Sequence, residues 1–138
     1  MKEYLTKSQK VKAACIVRHD NKILLLRNTQ VTNPEDQTRG GYFDIPSFTV
    51  LFGEDPRTTL LDTLEGYVGE GMGDVTMLDV RQYISENDTT QIFEVLFTVE
   101  TIDSFKVDER CGKCIFVEES ELDLYMFPQE REYLKKYI

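Results

Sequence analysis

The chain alternates between strand-like and helix-like hydrophobic patterns, a few residues of each at a time. Val11 to Arg18 and Lys22 to Asn28 are dense in aliphatic residues, and the short polar turn His19-Asp20-Asn21-Lys22 separates them, as in a hairpin. A polar stretch, Thr29 to Gly41, follows with Asn33-Pro34 and Gly40-Gly41 as breakers. Tyr42 to Ile45 and Thr49 to Phe52 predict two short strands. The period then changes: Leu60, Leu64, Tyr67 and Val68 repeat at i, i+4, i+7 and i+8, the stripe of an amphipathic helix. Asp55 stands at its N-cap, Pro56 at its first position and Gly69 just past its end, which predicts a helix over Pro56 to Val68. Val75 to Ser85 and Gln91 to Glu100 predict a hairpin around Glu86-Asn87-Asp88, and Ile92 to Val99 alternates as a half-buried strand does. Gly112 to Val117 predicts a last strand and Pro128 to Ile138 a C-terminal helix.

Strands interleaved with two helices in 138 residues imply an α+β domain with a mixed sheet, one domain over 1–138, large enough to bury a core. Hydrophobic residues make up 41% and charged residues 30%, ordinary for a globular protein. No run is long enough to span a membrane, and MKEYLTKSQK lacks the apolar centre of a signal peptide, so the expected residence is cytoplasmic. A net charge of −9 argues against a nucleic-acid backbone as partner, because phosphate contacts need clustered Lys and Arg. It leaves room for a nucleotide held in a local pocket.

Cys111-Gly112-Lys113-Cys114 spells CxxC, but the chain adds only Cys15 and His19 as further soft ligands, short of an ordinary zinc set. The motif also leads into a strand instead of opening a helix, unlike a thioredoxin-type pair. We read Cys111 and Cys114 as two incidental thiols, Cys15 as a small core residue and His19 as an exposed turn residue.

Chemistry concentrates in GYFDIPSFTVLFGEDPRTTLLDTLEGYVG, Gly41 to Gly69. This segment resembles a Nudix box, whose pattern is G-x5-E-x7-R-E-U-x-E-E-x-G-U with U a bulky aliphatic. Phe43-Asp44-Ile45-Pro46 matches the lead-in, Gly53-Glu54 the Gly-Glu pair, Leu64 the first U and Gly69 the last glycine. Phe116-Val117 and Glu121-Leu122 match a looser motif near the end. The resemblance implies an α/β/α Nudix sandwich, and a pyrophosphohydrolase that works through Mg²⁺ or Mn²⁺.

The departures fall on the chemistry. Ser47-Phe48 replaces paired glycines, Asp62-Thr63 replaces Arg-Glu, Gly66-Tyr67 replaces Glu-Glu, and Glu70 replaces an aliphatic. Glu54 is the single acidic position of the pattern that remains. Mg²⁺ takes near-octahedral oxygen coordination and relies on carboxylates to neutralise charge and activate water. Thr63 and Tyr67, four residues apart on one helix face, are poor substitutes for two anions. A register shifted by one residue would bring in Asp62 and Glu65, but would put Thr63 at the buried aliphatic position.

Candidate site residues follow, each with a plainer reading beside it. Glu54 is the candidate catalytic and metal-binding residue, or else an acid favouring the positive helix end. Arg27 can meet a phosphate, or end a strand in solvent. Phe48 and Tyr67 can stack on a ring-bearing ligand, or fill the space a metal site has vacated. Glu94 or Glu109 can supply a further acidic ligand from later segments, or a solvated charge. The expected function is a Nudix-type protein that has lost hydrolysis and binds a nucleotide-like small molecule or a protein partner, homodimer included. The alternatives are a divergent hydrolase of a nucleoside diphosphate linked to another moiety, dependent on Mg²⁺ or Mn²⁺, and a purely structural or regulatory subunit. The cysteine reading predicts substoichiometric zinc after purification without chelator. Stoichiometric zinc that disappears when Cys111 and Cys114 are both replaced by Ser would refute it.

Overall fold

The computed structural model describes residues 8–27, 43–68, 72–84, 89–101 and 114–138. Among these residues, seven strands form one mixed sheet: β1 (Ser8–His19), β2 (Lys22–Arg27), β3 (Phe43–Asp44), β4 (Ser47–Val50), β5 (Thr76–Ile84), β6 (Thr90–Glu100) and β7 (Cys114–Glu118). Helix α1 spans Pro56–Val68, α2 Leu122–Tyr125 and α3 Pro128–Leu134, with a 3-10 turn at Glu119–Glu121. The strand order is β3-β2-β1-β6-β5, with β4 also on β1 and β7 also on β2. The parallel pair β1–β6 runs from Ser8↔Thr90 to Arg18↔Glu100, and every other pairing is antiparallel. Among the described residues, no helix is long and apolar enough to cross a membrane.

The alternation of β1 explains the three layers. Ala13, Cys15 and Val17 point to the side covered by α1, where Leu60, Leu64, Phe97 and Val99 complete one core. Ala14 and Ile16 point to the other side, where Ile23, Leu25, Leu96, Leu122, Met126 and Leu134 form a second core under α2 and α3. From Ala13 to Val17 both faces of this strand are buried, so that stretch reads as an unbroken apolar run instead of an alternation. Burial also pushes the Cys15 thiol up to about 12, consistent with an inert core residue.

Helix α1 starts as its sequence dictates: the Asp55 carboxylate accepts the Thr58 backbone N–H at 3.0 Å. Ahead of it, Leu51 to Glu54 make a tight turn closed by Glu54 N–H to the Leu51 carbonyl at 3.0 Å. Gly53 sits there at φ +84, where a side chain would be strained. The β1–β2 turn is carried by Asp20 and Asn21, both at positive φ.

Several expectations are corrected. The strand expected over Thr49 to Phe52 lies at Ser47–Val50, because Ser47 and Phe48 pair with Ala14 and Ala13 where paired glycines would favour a loop. The C-terminal helix ends at Leu134, and the acidic turn before it winds into a 3-10 turn and α2. His19 is no exposed turn residue: it ends β1, its Nδ1 is 3.0 Å from the Thr101 carbonyl, and its ring meets Phe116 edge-on. Cys114 opens β7 as a disulfide-bonded residue, not a free thiol. Gly69, Glu86-Asn87-Asp88, Cys111 and Glu109 lie outside the described residues.

The register of α1 is testable. Replacing fully buried Leu64 with Ala is expected to cost about 2–5 kcal/mol in denaturant unfolding. Asp62→Ala, on the exposed side, is expected to stay within about 0.5 kcal/mol. Equal costs would contradict the register.

Candidate functional site

The box helix presents its residues as its stripe requires. Leu60 and Leu64 are fully buried, and Asp62 and Glu65 are exposed, which excludes the shifted register. Thr63 lies between these faces, half-buried, and its hydroxyl donates to the Thr59 carbonyl at 2.8 Å. Its polar atom is thereby spent on its own helix. Glu54 is exposed on the turn before α1, where its Oε1 accepts the Leu51 backbone N–H at 2.8 Å. Phe48 packs against the core cluster beneath α1. Tyr67 lies in α1 and Arg27 at the end of β2, beside Phe43, with side chains outside the described region.

Glu94 is elsewhere. On β6 it alternates with Phe93 and Val95, so it points away from α1 toward the side of Ala14 and Leu96, where it is buried. Arg81 of β5 stands opposite it in register and donates from Nε to Glu94 Oε1 at 3.0 Å. The same guanidinium reaches Glu130 of α3 at 2.7 Å, and stacks over Tyr133 at 3.9 Å and Tyr83 at 4.7 Å. Two carboxylates and two rings therefore hold one cation, a charge-assisted arrangement strengthened by its partial burial. Next along β5, Asp79 accepts hydrogen bonds from the hydroxyls of Tyr133 and Tyr137. This network fastens the C-terminal helix to the sheet edge.

Asp44 of β3 faces the same cluster. Burial is the main reason its carboxyl is pushed up to about 7, with the Glu130 and Glu94 charges adding to it and the Ile45 N–H and Arg81 opposing. Sequence reading placed Asp44 in the lead-in and gave it no role, and it missed Arg81, Tyr83 and Glu130 altogether. The only available signal was a charged Arg81 and Glu94 on half-apolar strands.

Could the residues present hold Mg²⁺ or Mn²⁺? Glu54 lies on the exposed turn before α1, engaged by a backbone N–H, whereas Glu94 is buried on the sheet face turned away from α1 and neutralised by Arg81. Among the described residues, no three His, Cys, Asp or Glu side chains are grouped as a metal would need. The donor set among the described residues does not fit the ion.

The Asp44 shift has a definite pH signature. Its pKa is higher folded than unfolded, so the folded state binds more protons between about pH 4 and about pH 7. Stability from this group is present below that window and lost as pH rises through it. Unfolding midpoints of the wild type should fall across the window more steeply than those of Asp44→Asn; parallel profiles would refute the assignment.

No protein-family model matches the sequence, and no curated protein matches it. Solved structures do match. A MutT Nudix hydrolase from Burkholderia pseudomallei superposes with a TM-score of 0.75 at 15% identity, over 96% of this chain and 100% of that one. A Nudix hydrolase from Nitrosomonas europaea gives 0.70 at 13% identity, over 94% and 88%. The MutT protein of Methanosarcina mazei Go1 gives 0.68 at 16%, over 94% and 93%. The mixed sheet between α1 on one side and α2 and α3 on the other, superposing on these proteins over nearly its full length, has the Nudix fold.

Proposed function

We propose that this is a Nudix-fold protein without metal-dependent pyrophosphohydrolase activity, acting in the cytoplasm by binding a nucleotide-like small molecule or a protein partner. The observation that carries this reading is the fate of the box positions. Thr63, Gly66 and Tyr67 stand where the pattern has three carboxylates, and the Thr63 hydroxyl is turned back to Thr59. The retained Glu54 holds the Leu51 turn instead of meeting other carboxylates. Glu94, the later acidic candidate that is described, belongs to the ion network with Arg81 on the opposite face. Pyrophosphate hydrolysis needs concentrated positive charge at the phosphates, and lost metal ligands remove it. About 1.4 kcal/mol of lost transition-state stabilisation already slows a reaction tenfold.

With millimolar Mg²⁺ or Mn²⁺, the purified protein is expected to leave ADP-ribose, dinucleoside polyphosphates and nucleoside triphosphates unhydrolysed above a blank. Robust turnover abolished by Glu54→Gln would overturn the proposal in favour of a divergent hydrolase. A companion variant restores the pattern with Asp62→Arg, Thr63→Glu, Gly66→Glu and Tyr67→Glu together. Metal-dependent turnover gained by that variant would show that the scaffold kept its shape and lost its ligands.

A further inference from the structure

Strand β5 is built inside out. A sheet strand covered on one face normally turns apolar residues to the covered side and polar ones to water. On β5, Asp79, Arg81 and Tyr83 face the C-terminal helix and are bound there by Glu94, Glu130 and Tyr137. The alternate positions Val80, Gln82 and Ile84 face the α1 side, beyond the reach of α1, with Val80 54% and Ile84 50% exposed. A bulge between Met77 and Asp79 brings Met77, 55% exposed, onto that same face. Sliding β5 by one residue would bury Val80 and Ile84 and expose Asp79 and Arg81, so the observed register runs against the usual hydrophobic preference. The Arg81 network fixes it. The apolar residues are left for something else to cover.

The face continues onto the neighbouring strands. Phe93 on β6 pairs in register with both Gln82 and Val11, and Phe93 and Val11 are exposed too. One row on, Gln9 and Gln91 join their side-chain amides at 2.8 Å. No position of β1, β5 or β6 that alternates onto this open region carries a charge, in a chain whose charged residues amount to 30%. The exposed apolar side chains expose on the order of 400 Å², the size at which a patch on a small protein usually marks an interface.

We propose that this β5–β6–β1 face is a homodimer interface, on which a second copy packs the same face, sheet against sheet, about a two-fold axis near Val80 and Phe93. Charge selects the occupant. Two chains at −9 repel each other, and a contact centred on strand positions that are all uncharged brings no like charges together at its middle. A two-fold contact must be self-complementary, and a face of Val, Ile, Phe and Met interspersed with Gln meets that need, because glutamine amides donate and accept alike. Adding the glutamines and the rim brings the buried surface toward the about 800 Å² per partner of a stable complex. The inference holds whether or not the chain hydrolyses a pyrophosphate.

Sedimentation velocity of the whole protein tests it. The wild type is expected to sediment as a dimer at about 100 µM and to dissociate on dilution. Val80→Glu and, separately, Val80→Lys are expected to be monomeric with unchanged circular dichroism. Mixing the two should restore a dimer, since opposite charges then meet near the axis. Ile84→Lys serves as a second disrupting variant should either Val80 variant fail to fold. A wild type that is monomeric throughout would overturn the proposal, as would a dimer that folded Val80→Glu or Ile84→Lys leaves intact.

Discussion

The state of the box depends on how α1 is clamped to the sheet. Leu60 and Leu64 are fully buried against Ala13, Cys15, Phe97 and Val99, and a helix so anchored has no freedom to rotate. Turning it far enough to bring Asp62 or Glu65 inward would expose two leucines, each worth about 2 kcal/mol or more of burial. The packing that preserves the fold therefore holds Thr63 where the pattern has a glutamate. Fold and chemistry are separable in such a box because its aliphatic positions and its acidic positions lie on different sides of one helix.

The other side of the sheet shows a different economy. There, Arg81 is enclosed by Glu94, Glu130, Tyr83 and Tyr133, with Asp44 nearby. A buried ion network of this kind adds little net stability, since desolvation offsets most of its attraction. It does define geometry: the guanidinium links β5, β6 and α3 and admits one register. Its consequence appears on the far side of β5, where the apolar half of the strand is turned outward.

Much of the fold was legible in the sequence, since period and punctuation are local signals. The Asp55 cap, Pro56 and the leucine stripe placed α1 to the residue at its start. The apolar run Ala13 to Val17 marked a buried strand, and the structure buries it on both faces. Where reading failed, the deciding contact was distant. His19 looked like a turn residue because Asp20 and Asn21 follow it, but it pairs with Lys22 in the β1–β2 ladder and its ring meets the Thr101 carbonyl, far along the chain. Glu94 was readable as an acid on a strand, but the side of the sheet it serves depends on the register of β6 between β1 and β5. Asp44 carried no local mark at all; its raised pKa comes from burial and from carboxylates of β6 and α3.

The proposed loss of the metal site, in a box whose helix keeps its place on the sheet, is open to direct test. Titration of Mn²⁺ into the purified protein, followed by the loss of free-ion electron paramagnetic resonance signal, tests it without assuming any substrate. The account predicts no saturable site in the micromolar range, and a weak nonspecific uptake that Glu54→Gln leaves unchanged. A saturable site removed by Glu54→Gln would contradict it.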